Sequence, residues 1–343
     1  MSITTKVKGN SLLSLIGNTP VVNILQDKYP LADVKVKLES YNPGGSIKDR
    51  VAQKIIEDAE INGLIKPGFE LVEATSGNTG LGLAWIGRLK GYRVTIITHD
   101  RVSKEKTSLL KHYGANVIIM PSDAPADSDD NYVNVARRYA NEKERFFCDQ
   151  FFNNSNSLAH YQTTAPELWI QGGRDTDIII CGVGSGGTLM GISRYFREKG
   201  SKVRFIVADP QGSIYKSYFS GQEYLSGEWK IEGIGSNFIP GILDAGSADE
   251  VYSVSDDEAF FTCELVRKDY SIDVGLSSGA IISTAINILK NESGKRIMCI
   301  APDSGERYLF KTAWVKIWIL KILFAVLTIK LGLRFIFMTR KSY

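Results

Sequence analysis

The sequence predicts an α/β protein built on parallel sheets, because short β-branched runs alternate with helical stretches from about residue 35 onward. In the first half the predicted strands are DVKVKLE, FELVEA, RVTIIT and NVIIMP. Helices are predicted after Lys48, from Leu81, near Ser103 and near Tyr132. In the second half TDIIICGVG, VRFIVADP and RIMCIAP are predicted strands, and a helix starts from Leu189. Strands separated by helices in this way pair in parallel.

The composition is that of an ordinary globular protein with one large or two medium domains. The chain has 343 residues, of which 43% are hydrophobic and 23% charged. Its 41 basic and 38 acidic residues leave a formal charge of only +3. No basic surface for nucleic acid is therefore expected.

The cysteines indicate a reducing compartment. Cys148, Cys181, Cys263 and Cys299 lie far apart and show no metal-ligand spacing, so neither a disulfide frame nor a metal site is expected. Cys181 and Cys299 belong to predicted buried strands. The N-terminus lacks the long apolar stretch of a signal peptide, which predicts a cytoplasmic protein.

The C-terminal tail, residues 313–343, is apolar and basic. Its longest charge-free run, Ile322 to Ile329, is much shorter than the roughly 20 apolar residues of a spanning helix. Three interpretations stay open: an additional packing or dimer-contact helix, a membrane anchor, or an end that is not native to the fold.

The turn EATSGNTG, residues 73–80, follows a predicted strand and opens a predicted helix. Thr75, Ser76, Asn78 and Thr79 offer hydroxyl and amide groups beside exposed backbone N–H groups. Such a turn can cradle a carboxylate or a phosphate. One capping residue would suffice for a helix start, so four of them favour an anion site.

A second turn, CGVGSGGTLMG, also joins a predicted strand to a predicted helix. Gly182, Gly184 and Gly187 satisfy the dinucleotide fingerprint, and Asp209 lies near the position of a ribose-binding acid, which suggests NAD. The same glycines suit any phosphate, and Thr188 adds a hydroxyl donor for a phosphate monoester. This motif alone leaves both ligands open.

The stretch NPGGSIKDR places Lys48 at the mouth of a predicted helix. The positive end of a helix destabilises an ammonium group, so the amine is more readily neutral and nucleophilic there. Such a lysine suits attachment to a carbonyl cofactor, whereas nicotinamide chemistry has no comparable use for it. Asp49 is expected to favour the helix start and Arg50 to pair locally.

Together with EGIGSNFIPG, LSSGA and PDSGERYL, these motifs resemble, in order and spacing, the pyridoxal-phosphate β-replacement family of cysteine synthases and cystathionine β-synthases. The resemblance covers roughly Leu13 to Leu309. It implies fold type II, like the tryptophan synthase β chain, with the cofactor in a cleft between two parallel-sheet α/β domains.

The resemblance also implies where the two domains lie. Residues 1–44 together with 155–312 are expected to form the larger cofactor-binding domain, and residues 45–154 the smaller, mobile one. The tail 313–343 lies outside this pattern. A homodimer is expected, with membrane contact through the tail left open.

Site roles follow from the resemblance alone. It assigns contacts with pyridoxal 5′-phosphate to Lys48, Asn78, Gly184, Ser185, Gly186, Gly187, Thr188 and Ser304. It assigns substrate contacts to Thr75, Ser76, Thr79, Gln150 and Gly235. Lys48 is the catalytic residue and covalent anchor, Asn78 binds the ring hydroxyl, and Ser304 faces the ring nitrogen. Residues 184–188 form the phosphate cup, and the loop 233–235 borders the entrance.

The implied reaction is β-replacement on an activated serine through an aminoacrylate intermediate, with a sulfur nucleophile. SGERYL, LSSGA and the small Ser236 favour cysteine synthase, using O-acetylserine and sulfide. The segments NSLAHYQTTAPELW, ADPQGSI and KIEGIG look more like cystathionine β-synthase, which uses homocysteine. An NAD-dependent oxidoreductase and a non-catalytic pyridoxal-phosphate sensor are the alternatives from other classes.

Overall fold

The computed structural model describes residues 11–125, 128–223 and 226–311. The strands of this part of the chain form two sheets. They are β1 Val21–Ile24, β2 Asp33–Leu38, β3 Glu70–Ala74, β4 Arg93–His99, β5 Asn116–Met120, β6 Arg145–Phe147, β7 Ile178–Gly182, β8 Arg204–Pro210, β9 Glu250–Val254 and β10 Arg296–Ala301.

Helices connect most of these strands. They are α1 Lys48–Ile61, α2 Asn78–Leu89, α3 Lys104–His112, α4 Tyr132–Ala140, α5 Ser155–Ala159, α6 Ala165–Ile170, α7 Gly187–Glu198, α8 Tyr215–Phe219, α9 Asp256–Tyr270 and α10 Leu276–Asn291. A π-helical turn, His160–Thr164, joins α5 to α6. The segment Gly305–Lys311 forms a 3₁₀ helix.

The two sheets are mainly parallel, so the predicted fold class is confirmed. The larger sheet has the order β1-β2-β10-β7-β8-β9, and the smaller one β5-β4-β3-β6. Among the strands that the structure describes, only β1 pairs antiparallel, with β2. Our sequence interpretation did not include β1, β6 and β9, because these short strands lack a continuous apolar run.

Strand β7 shows why its sequence reads as an unbroken apolar run. Ile178 and Ile180 face a core that includes α9 and α10, whereas Ile179 and Cys181 face a core that includes α7. Because successive side chains point to opposite faces, a strand covered on both sides has no polar positions. Cys181 and Cys299 are both buried in strands, as predicted.

The motif-bearing turns follow β3, β7 and β10, at the carboxyl ends of parallel strands, where open α/β sheets bind ligands. The strands of the smaller sheet fall within residues 45–154, and those of the larger sheet fall outside that range. The domain boundaries themselves stay a prediction. Residues up to Gly305 form one compact unit, and Glu306 begins a second.

The tail 313–343, for which three interpretations stay open, lies outside the described residues. Among residues 11–311, apart from the gaps, no helix is both long enough and apolar enough to cross a membrane.

Candidate functional site

The loop before Lys48 is held against the end of β10. Ile47 N donates to Pro302 O at 2.9 Å, and Ser46 forms a β-bridge with Asp303. Helix α1 then begins at Lys48, as predicted. The lysine is thereby placed beside the carboxyl ends of the larger sheet.

Lys48 reaches the glycine-rich turn after β7. Its Nζ lies 3.3 Å from Ser185 Oγ, although the two residues are 137 positions apart. Burial lowers the pKa of Lys48 to about 8, against an opposing effect of the Glu73 charge. The sequence interpretation attributed a readily neutral amine to the helix end, whereas the structure identifies burial as the main cause.

The turn from Gly184 to Thr188 is shaped as a cup that only small residues can form. Gly186 has a φ of 90° and caps the N-terminus of α7. A Cβ on Gly184 would lie 2.5 Å from Gly233 O, and one on Gly187 would lie 1.9 Å from Asn156 Oδ1. The open N–H groups of the helix start suit a phosphate.

Thr188 is held at this cup by a buried histidine. Its Oγ1 lies 3.3 Å from His160 Nε2, and His160 Nδ1 lies 2.9 Å from Thr164 Oγ1. Burial lowers the pKa of His160 well below its ordinary value, with Lys48 and Arg50 adding to the effect. The imidazole is therefore neutral at physiological pH.

Two of the predicted ring-contact residues come together at the end of β10. Asn78 Nδ2 donates to Asp303 Oδ2 at 2.7 Å, and Ser304 is the next residue in the chain. The contact joins the turn after β3 to the turn after β10 across 225 positions. Asp303 was not among the predicted residues.

The predicted carboxylate-binding residues form a second group. Thr79 Oγ1 donates to Gln150 Oε1 at 2.6 Å, and both side chains are buried. Thr75 Oγ1 accepts from Gly77 N at 3.2 Å within the same turn. Ser76 lies half-buried between Thr75 and Gly77.

The entrance loop packs directly on the cup. Gly235 N donates to Val183 O at 2.8 Å, and Gly235 has a φ of 84°. The side chain of Ser236 is turned into the loop, where its Oγ accepts from Phe238 N at 3.1 Å. An ion pair between Lys106 of α3 and Glu232 connects this loop to the smaller sheet's side of the cleft.

Asn156 is a connecting residue that the sequence interpretation missed. Its Nδ2 donates to Gln150 O at 2.7 Å and to Ser185 Oγ at 2.8 Å. The fully buried Asn156 amide thus connects Gln150, one of the predicted carboxylate-binding residues, to Ser185 of the cup, which Lys48 also contacts. An isolated asparagine in a short helix carries no signal of spacing that would have revealed it.

These residues fit the cofactor that the sequence resemblance implies. The cup offers backbone donors at a helix start, and the part-buried Lys48 amine lies against it with its pKa lowered to about 8, as attachment to an aldehyde requires. Lys48 would hold pyridoxal phosphate covalently, residues 184–188 would hold its phosphate, and Asn78 and Ser304 would contact its ring. The bound group would supply an electron sink for a carbanion at the substrate's α-carbon.

Asp209, the residue that suggested NAD, instead binds a backbone N–H group of its own turn. It is 1% exposed, and its Oδ2 accepts from Lys216 N at 2.9 Å at the start of α8. Burial raises the pKa of Asp209 to about 6. A carboxylate engaged in its own turn in this way is poorly placed for a ribose hydroxyl.

The rate of cofactor attachment is expected to follow the titration of Lys48. With a pKa of about 8, roughly a tenth of the amine is neutral at pH 7 and about nine tenths at pH 9. Attachment of pyridoxal phosphate to cofactor-free protein, followed by absorbance, should accelerate about tenfold over this range and then level off. An Nα-acetyl-lysine control should keep accelerating toward pH 10.4 or so. A protein rate that did the same would contradict the lowered pKa.

Several known proteins match this chain over most of its length. Cystathionine beta-synthase of Apis mellifera is 37% identical over 305 residues, which are 88% of this chain and 60% of that protein. Cysteine synthase of Staphylococcus aureus is 39% identical over 305 residues, with 88% and 95% covered. The crystal structure of an O-ureido-L-serine synthase matches with a TM-score of 0.81 at 34% identity, covering 88% of this chain and 93% of that one.

The extent of these matches differs between the relatives. The chain spans 60% of the Apis mellifera cystathionine beta-synthase and 54% of the Rattus norvegicus one, but nearly all of the cysteine synthase. The family model described as "Pyridoxal-phosphate dependent enzyme" matches residues 12–303. The chain therefore belongs to the family of pyridoxal-phosphate-dependent enzymes.

Proposed function

We propose that the chain catalyses β-replacement on an O-activated L-serine with sulfide as nucleophile, which yields L-cysteine. The observation that supports it most strongly is the 3.3 Å contact of Lys48 Nζ with Ser185 Oγ. In this contact an amine of lowered pKa lies against the glycine-rich turn after β7, which we propose as the phosphate cup. The proposal is also supported by the names of three similar proteins, which are a cystathionine beta-synthase, a cysteine synthase and an O-ureido-L-serine synthase.

In this reaction the residues of the chain have separate tasks. Lys48 would hold the cofactor covalently, and its neutral amine would take the proton from the substrate's α-carbon. Thr75, Ser76, Thr79 and Gln150 bind the α-carboxylate and so orient that C–H bond. The buried cup excludes water from the phosphate.

The serine at position 304 favours elimination of the β-substituent. A hydroxyl is a weak partner for a ring nitrogen, so a cofactor ring facing Ser304 would keep its nitrogen largely unprotonated and would draw in less of the carbanion's charge. Departure of the β-substituent would then be the easier outlet for the electrons. The acetyl leaving group and the sulfide nucleophile are part of the proposal as well.

Cystathionine β-synthase activity is the second candidate, because relatives with that name are 36–37% identical. Cysteine synthase is favoured because this chain matches that relative over 95% of its length and carries SGERYL and LSSGA. The amino-acid substrate, the sulfur nucleophile and the homodimer all belong to the proposal.

A panel of substrates tests the choice. The purified holoprotein is given L-serine, O-acetylserine or O-phosphoserine, each with sulfide, homocysteine or cyanide, and kcat/KM is measured. We expect O-acetylserine with sulfide to exceed every other pair by about tenfold or more, which is about 1.4 kcal/mol in the activation free energy. Faster reaction of serine with homocysteine would establish the second candidate, and a coloured protein inert toward all pairs would indicate a sensor.

A further inference from the structure

Glu73 is a buried carboxyl group beside the proposed carboxylate-binding turn, and the reaction as described does not use it. It lies on β3, which is buried along its whole length, and its side chain is fully buried. A negative charge near a subsite for an anion would weaken binding, so its position needs an explanation.

Both oxygens of Glu73 contact one residue, Gln150. Oε2 accepts from the backbone N of Gln150 at 3.3 Å, and Oε1 accepts from its side-chain Nε2 at 3.4 Å. The other end of the amide is also held, because Gln150 Oε1 accepts from Thr79 Oγ1 at 2.6 Å. The direction of the Gln150 amide is therefore set from both ends.

We propose that Glu73 is a positioning residue for the substrate's α-carboxylate, acting by holding the Gln150 amide with its nitrogen away from Thr79. An amide nitrogen carries two hydrogens. Glu73 accepts one, which leaves the second for the carboxylate, while the amide oxygen is kept on Thr79. The inference rests on the proposed function, since it names a determinant of that function's substrate class.

The electrostatics of Glu73 agree with this role. Burial raises its pKa to about 8, and the charge of Asp149 adds to the shift. The raised pKa lessens the negative charge that an incoming anion meets at neutral pH, and each carboxyl oxygen still has a lone pair for a Gln150 donor. The ionisable groups around Glu73 are Asp149, Lys48, Tyr132 and Cys148, and the charge of ionised Glu73 raises the pKa values of the last three.

Glu73→Gln tests the proposal with little change of shape. A side-chain amide has only one acceptor oxygen, so it cannot accept from both Gln150 nitrogens. Holoprotein is titrated with L-alanine, which lacks a leaving group, and with its methyl ester, which lacks the carboxylate, and cofactor absorbance reports binding. We expect the affinity for L-alanine to fall about tenfold, or about 1.4 kcal/mol, and that for the ester to change less than about twofold.

Glu70→Gln is the matched control. Glu70 is a buried glutamate on the same strand, but it pairs with Arg145 at 3.0 Å on the side away from Gln150. Its substitution should leave the ratio of the two affinities unchanged. Adding Glu73→Gln to a Gln150→Leu variant should cost nothing further, because the residue acts through that amide.

The outcomes separate the two levels of inference. Equal losses for both ligands, or no loss, would overturn the role of Glu73 and indicate a purely structural carboxyl. A wild-type protein that does not prefer L-alanine over the ester would instead contradict the carboxylate site of the proposed function. If Glu73→Gln fails to retain cofactor, Glu73→Asp, which is shorter by one methylene, is expected to show the same selective loss.

Discussion

Lys48→Ala is expected to yield a folded protein without the visible absorbance of covalently attached pyridoxal phosphate and with turnover reduced more than about 10³-fold. The loss is large because one amine serves as anchor and as base. The cup around Ser185 remains, so phosphate-bearing cofactor should still bind without a covalent link. Absorbance spectra and steady-state rates of the purified variant measure both effects.

Lys54→Ala is the control on the same helix. Lys54 belongs to α1, where its Nζ pairs with Asp58 Oδ1 at 2.8 Å, one helical turn further on. Both side chains are about one fifth exposed, and an ion pair one helical turn apart contributes only about 0.3–0.5 kcal/mol, so colour, turnover and stability should be close to those of the wild type. A coloured and active Lys48→Ala protein would contradict the central role of Lys48.

Arg50→Met is expected to lower the free energy of unfolding by about 3–5 kcal/mol, the usual cost of leaving buried charges without their partner. Arg50 is 3% exposed and makes double contacts with two glutamates. It donates to Glu39 from Nε at 2.7 Å and Nη2 at 2.8 Å, and to Glu167 from Nη1 at 2.6 Å and Nη2 at 2.8 Å. Urea unfolding followed by circular dichroism measures the change.

The electrostatic coupling at this cluster is strong. Burial alone would raise the pKa of Glu167, but the bonds and charges of Arg50 and Lys37 lower it to about 2. Lys37 is itself fully buried, with its Nζ 2.8 Å from Glu167 Oε2. Methionine in place of Arg50 leaves Glu39 fully buried and without the guanidinium.

Arg194→Ala provides the comparison. Arg194 also lies on a helix and pairs with Glu198 at 2.8 Å, but both side chains are about half exposed. Its loss should cost less than about 1 kcal/mol. If the free energy of unfolding of Arg50→Met lay within about 1 kcal/mol of the wild-type value, the buried cluster would contribute little to stability, which would contradict this prediction.

Much of the fold was predictable from local patterns. The runs that became β2, β3, β4, β5, β7, β8 and β10 were identified, because each is rich in β-branched residues and alternates with a helical stretch. Helix α9 was missed although its signal was present. Ser255 and Glu258 form a capping box at its start, with Ser255 Oγ accepting from Glu258 N at 3.3 Å.

The partners of buried polar groups were harder to predict from the sequence. Arg50 was expected to pair locally, but one of its glutamates lies 117 positions away, on α6. The Glu73–Gln150 and Asn78–Asp303 contacts span 77 and 225 positions. No periodicity connects residues at such separations, because their proximity depends on how the two sheets are placed.

By itself, the sequence determined most of the segments that become strands, that Lys48 begins a helix, and that the turn after β7 suits a phosphate. These properties depend on neighbouring residues, since propensity, capping and glycine conformations act over a few positions. Only the tertiary structure decided that Lys48 lies 3.3 Å from Ser185, that burial lowers its pKa, and that Glu73 and Asn156 connect the site. Desolvation and hydrogen bonds between distant segments exist only once those segments are packed together.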